Sequence, residues 1–508
     1  MRCPECSRES RVVAEWGESS GGVFVPRTGL KPPRYWTRRR VVEWGVSLMV
    51  RAGVVAVVVF APAVMRHCRV TSDARAAAKE FVTIERFRLI QPASKAQPGW
   101  PNAAETIKAI RVLLRSQEVR VKQSDPALTQ AVFEPALLLP TIRELNEEET
   151  LNARFSAQVL DGWLAARGLE QLRTLGGPID FSFVPTTDKD GVVISFDSSE
   201  QANSRLVARL CRAMEWRALR AGDVKAWRVA AMAHVGAACA AGQSPTMMGR
   251  LTMKGIEWNL LNGVQERLFE VRLLPAGDKD VLAWLDAVDA VLTRRENGAV
   301  PVWAALDGER VSMQYEVAKI FADPSKIERR LAREAKNAPI LEGRVGRFAE
   351  NRAAVDALYD SIVEASKKAP AEQSRALGEE FTTDLQVVKE LAPAVGKFLR
   401  SEDAGEQYRI AVATMVALER HRQMTGTFPA TLAELSTPPI VGMSEDRFAP
   451  GKKLCYRPIV HADGRPWYVL YSVGLDGRDD GGAGTPVVAD AFYPGGKGKD
   501  AVYSVPEP

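Results

Sequence analysis

The sequence predicts a mainly α-helical protein that ends in a small α+β domain, and three observations carry that prediction. Apolar residues recur at helical spacing through most of the chain, as in Ile107, Ile110, Leu113 and Leu114, or Ala157, Leu160, Trp163 and Leu164. Within that helical region the alternation expected of strands appears between residues 179 and 197. Beyond residue 404 a single helix gives way to short strands joined by Gly- and Asp-rich turns. In full, the expected architecture is an N-terminal single transmembrane helix, a helical ectodomain with one β-hairpin, and a C-terminal helix followed by an antiparallel β-meander.

Composition bounds the function. A chain of 508 residues with 46% hydrophobic and 26% charged residues has the balance of a folded protein with a sizeable core. The formal charge of +5 arises from 68 basic and 63 acidic residues, too even a balance for a nucleic-acid partner. Six cysteines at these spacings form no disulfide framework.

Residues 1–41 read as a largely disordered cytoplasmic tail, with Ser, Gly, Pro and charge concentrated over 7–35. The tail opens MRCPEC, in which Cys3 and Cys6 have the spacing of one zinc knuckle, a candidate half site that needs two further ligands from elsewhere. Residues 42–66 are expected to cross a membrane, because Trp44 to Met65 would span roughly 33 Å as a helix at about 1.5 Å per residue. Arg51 lies near one end, where it can snorkel, and Ala61-Pro62-Ala63 also has the form of a cleavage site. Arg34, Arg38, Arg39 and Arg40 before the segment predict a cytoplasmic N-terminus. The remaining chain is then periplasmic, and the protein a single-pass resident of the inner (cytoplasmic) membrane.

The helical ectodomain is expected over 72–400. Its one hairpin, near 179–197, turns between residues 185 and 191 at Asp190-Gly191. From 201 to 241 two helices meet at Ala221-Gly222-Asp223, and Gly236, Ala237 and Ala238 allow another helix to approach closely. Across such a hairpin Cys211 and Cys239 stand roughly 9 Å apart along the axis, too far to bridge, so both are expected as free buried thiols. Further helices are expected over 281–292 and 326–336, and through 353–399 with boundaries at Pro370 and Pro393. The run KIERRLAREAK reads as a solvated helix face.

No nucleotide-binding, zinc-protease or serine-hydrolase motif occurs, and none of the four histidines has a ligand or catalytic partner at motif spacing. The chain is therefore read as non-enzymatic. A periplasmic enzyme with a carboxylate site assembled in space is the alternative, and a cluster of acidic residues in a deep pocket would favour it.

The C-terminal domain is expected over 404–508. A helix from Gly405 to Met424 carries Tyr408, Val412, Met415 and Leu418 in helical order and stops at Gly426. Strands then follow at 453–459 and 467–473 around Asp463-Gly464. Here ALERHRQMTGTFPATLAEL (417–435), DRFAPGKKLCY (446–456) and WYVLYSVGLDGRDDGG (467–482) stand in the order and spacing of the matching segments of the major pseudopilin of type II secretion systems. This part of the chain resembles that family. The whole chain also resembles a family of planctomycete membrane-anchored proteins whose helical ectodomain ends in such a module. Glu43 is not preceded by a pseudopilin processing site, and a long helical region separates it from the module, so the resemblance does not extend to fibre assembly. It implies a calcium loop, with Asp476, Asp479, Asp480 and Asp490 as the ligands, and a role in contacts with protein partners of the cell envelope or in a secretion or transport apparatus.

Overall fold

A computed structural model of the protein describes residues 65–79, 97, 99–124, 157–181, 186–187, 193–195, 199–294, 301–337, 344–368, 370, 372–373, 383–391, 395–435, 445–460, 464–474, 476–482, 485–486 and 500–504. The chain divides into two compact units, Met1–Thr71 and Ser72–Pro508. The second is mainly helical, with a small sheet near the C-terminus.

Helices α1 (Ala103–Ser124), α2 (Ala157–Ala165) and α3 (Gly168–Gly176) lead to an antiparallel strand pair, β1 (Thr186–Thr187) and β2 (Val193–Ser195). Thr186 faces Ser195, and Thr187 faces Val193, so the chain reverses between 187 and 193, slightly later than expected. The αα-hairpin follows as α4 (Ser199–Arg220) and α5 (Val224–Ala241). Its turn depends on Gly222, at φ 66, and on Asp223, whose side chain accepts from the Ala226 amide at 2.9 Å. Gly236 and Ala233 on α5 let α3 approach so closely that a Cβ at Gly236 would overlap the Leu175 carbonyl. Cys211 and Cys239 are buried and form no disulfide, as their spacing requires.

Next come α6 (Met247–Val271), α7 (Lys279–Thr293), α8 (Val302–Ala322), α9 (Pro324–Asn337), α10 (Phe348–Ser366), α11 (Gln386–Leu391) and α12 (Val395–Thr425). Helix α12 begins at Val395, about three turns before Gly405, and it ends at Gly426 with φ 87. Strands β3 (Cys455–Val460) and β4 (Pro466–Ser472) pair antiparallel with Tyr456 opposite Leu470. The sheet order is β3-β4-β6-β5, in which β6 (Ala501–Val502) runs antiparallel to β4 and β5 (Thr485–Pro486) runs parallel to β6.

Two apolar clusters meet at α5. One joins α1 to α6 through Ile110, Trp163, Leu172, Leu210, Ala237 and Met253. The other joins α5, α6, α7 and α12 to the sheet through Trp227, Leu261, Val288, Val412, Leu470 and Tyr503. The sheet is therefore part of the helical core, and the boundary expected between 400 and 404 falls within α12.

The expectation of a single-pass protein of the inner membrane is corrected. No helix among the described residues is long and apolar enough to cross a membrane. The physical reason lies in their patterning. Even the apolar α5 is largely buried within the protein and carries Lys225, Arg228 and His234, while in α12 charged residues flank the apolar run 410–418 on both sides. The segment 44–65 lies outside the described residues except for Met65, as do residues 1–41.

Candidate functional site

Charges buried between α6 and α12 mark the candidate site. Arg250 and Lys254 stand four residues apart on α6, and Glu402 and Glu406 stand four apart on α12, so each pair shares one face of its helix. Arg250 grips Glu402 with two hydrogen bonds, the Nε to Oε1 contact measuring 3.1 Å. The Lys254 ammonium, 2% exposed, lies 3.5 Å from Glu257, 3.7 Å from Glu406 and 3.9 Å from Glu402. Gly405 makes this possible, since a Cβ there would sit 2.9 Å from Cδ of Lys254.

One helical position on, Asp403 receives a hydrogen bond of 2.7 Å from Arg447, which lies in the loop leading into the sheet. Burial pushes the Asp403 carboxyl above its ordinary range, and the Arg447 guanidinium opposes that shift. Gln407 continues the seam. Its Oε1 accepts from the Arg447 amide at 2.7 Å, and its Nε2 donates to the Glu445 carbonyl at 3.4 Å. Between them, Asp446 turns into the sheet, accepting from Ser472 Oγ at 2.8 Å, the Phe448 amide at 2.9 Å and the Val473 amide at 3.0 Å. Burial raises its pKa also, against the pull of these donors.

These groups border a cavity of about 670 Å³, within the size range of small-molecule sites. Its other walls come from the start of α8, at Val302 and Trp303, and from the end of α10 and the residues after it, including Val363, Lys367 and Lys368. A cluster of carboxylates in a pocket is thus present, but each carboxylate is held by a cation: Glu402 by Arg250, Asp403 by Arg447, and Glu406 by Arg409 and Lys254.

The calcium loop expected by resemblance is only partly described. Asp476 accepts from the Arg478 amide at 3.0 Å, and Asp479 from the Gly481 amide and the Tyr471 hydroxyl, both at 2.9 Å. These bonds hold Asp479 below the usual carboxylate range. The Asp480 amide donates at 3.0 Å to Asp500, a buried residue that sequence reasoning passed over, and Gly482 donates to the same oxygen at 2.8 Å. Asp500 Oδ1 has no partner among the described residues, but one such oxygen is not a coordination shell. No group of three metal-binding side chains occurs among the described residues. Asp490, Cys3 and Cys6 lie outside the described residues.

Sequence reasoning also missed Arg250, Lys254, Glu402, Asp403, Glu406 and Arg447. The usable signal was the pair of i, i+4 charges of opposite sign on two helices. No protein-family model, curated protein or solved structure matches the chain.

Proposed function

We propose that this chain is a non-enzymatic interaction protein, in which the helical body holds a pseudopilin-like α+β module in one fixed pose for contact with a protein partner. The observation that carries this reading is the outer edge of β3. It is paired with β4 on one side, has no neighbour on the other among the described strands, and ends in Val460, which is 73% exposed. Pro458 removes one donor from this edge, so the contact it offers a partner centres on the exposed apolar end at Val460. The fastenings at Gln407, Arg447 and Tyr456, whose hydroxyl donates to the Pro429 carbonyl at 2.7 Å, support a module presented rigidly.

The test is site-specific photocrosslinking in cells that make the protein. A benzophenone side chain at Val460 is expected to yield one discrete adduct with another protein, and the same group at exposed Leu273 is expected to yield none. Equal labelling from both positions, or none from Val460, contradicts the reading. A second reading, an enzyme acting through Glu402, Asp403 and Glu406, is favoured by their place on the cavity wall and by the raised pKa of Asp403. Their commitment to cations favours binding over turnover.

A further inference from the structure

The cavity between α6, α8, α10 and α12 has a neutralised floor and a cationic rim. On the floor, Arg250 and Lys254 are matched by Glu402 and Glu406. At the rim stand Lys367, Lys368 and Arg447. Lys368 has no carboxylate partner among the described residues, and Lys367 pairs only with Glu364 in a solvent-exposed contact that holds it weakly. Helix α8 adds to the same sign. Its first two residues line the cavity, its N-cap is Pro301 without a side-chain acceptor, and its first turn carries no acidic residue. Beside these charges lies Trp303, a large flat side chain that the described residues leave 54% exposed. Val302, Val363 and Leu399 supply apolar wall next to it.

We infer that this cavity binds a small organic anion with a flat apolar body. The ring system stacks on Trp303 and fills the apolar wall, while its acidic group meets Lys367, Lys368 and the first turn of α8. The matched floor explains why the acid belongs at the rim. An anion driven deeper would displace Glu402 or Glu406 from cations that already satisfy them. The volume suits a ligand of one to three fused rings.

Fluorescence titration of the full chain with 8-anilinonaphthalene-1-sulfonate tests this, with uncharged N-phenyl-1-naphthylamine as the second probe. The sulfonate is expected to bind saturably at one site, about tenfold more tightly than the uncharged amine, and more weakly as salt rises. Trp303→Ala and the double substitution Lys367→Glu with Lys368→Glu change exposed side chains, so far-UV circular dichroism is expected to stay unchanged. Each is expected to weaken sulfonate binding about tenfold, and only Trp303→Ala to weaken binding of the amine. Absence of saturable binding, equal affinity for the two probes, or sulfonate binding unaffected by the lysine substitutions overturns the inference.

Discussion

The side-chain amide of Gln265 donates to the backbone carbonyl of Tyr503 at 2.6 Å, tying the centre of α6 to the residue that follows β6, across 238 residues of chain. The other end of that amide, Oε1, lies 2.6 Å from the Tyr408 hydroxyl, which also contacts Asn262 at 2.6 Å. Three elements thus meet in one buried polar knot, capped by Trp258 stacked on Tyr408 at 4.2 Å. Gln265→Ala leaves a carbonyl and part of a hydroxyl buried without partners, and is expected to cost about 2 to 3 kcal/mol in urea unfolding. Tyr503→Phe serves as the contrast. The Tyr503 hydroxyl has no partner among the described residues, so its loss is expected to change stability by less than about 0.5 kcal/mol.

Two glycines in neighbouring helices are expected to respond oppositely to alanine. On α8, a Cβ at Gly308 would overlap the backbone carbonyl of Pro245, which has no flexible side chain to move aside. Gly308→Ala is expected to destabilise by about 2 kcal/mol or more. On α6, a Cβ at Gly255 meets nothing within 4 Å, and Gly255→Ala is expected to stabilise by about 0.5 to 1 kcal/mol. Thermal or urea midpoints of the two variants check both signs.

In the helical core, His234 Nδ1 lies 2.8 Å from Glu215 Oε1, both side chains about 1% exposed, with Arg212 3.6 Å from the other carboxylate oxygen. Removing either member takes from the other its close buried partner, and leaves Glu215 only the longer contact with Arg212. His234→Leu or Glu215→Leu alone is expected to cost about 3 to 5 kcal/mol, while the double substitution is expected to cost much less than their sum, since Arg212 keeps Glu266 at 2.7 Å. A double-mutant cycle that adds within about 0.5 kcal/mol would contradict a coupled pair.

Asp403 and Asp446 give the stability a definite pH dependence. Both carboxyls have folded-state pKa values raised by burial, so the native state holds their protons more tightly than the unfolded chain does. Their contribution is complete below the ordinary carboxylate range and is lost as pH rises through the raised values. Stability measured between about pH 4 and pH 7 is expected to fall less steeply in Asp403→Asn than in the natural chain, by about 1.4 kcal/mol for each unit of the lost shift. Identical slopes would contradict the assignment.

Much of the fold was legible because its signals are local. Gly222 with Asp223 marked the helix turn, Gly426 the end of α12, and the apolar strands flanking Gly464 the β3–β4 pair. Helix α6 was harder to read, since it is buried on most of its faces and apolar and charged residues share its surface, leaving little amphipathic contrast. The site was hidden for a related reason. Lys254 and Glu402 look like ordinary surface charges in sequence, and only the packing of α6 on α12, permitted by Gly405, buries them together. The loop aspartates were conspicuous, yet Asp500, isolated between residues of no evident pattern, is the one that gathers the loop amides.

Native-state hydrogen exchange of the full chain across a urea series tests the central claim most directly. If the helical body and the sheet form one cooperative unit, the amides of Leu470 in β4 and Leu261 in α6 open with the same free energy and the same dependence on urea, and Gln265→Ala lowers both together. A β4 amide that exchanges through a separate opening of lower energy, unaffected by Gln265→Ala, would contradict it.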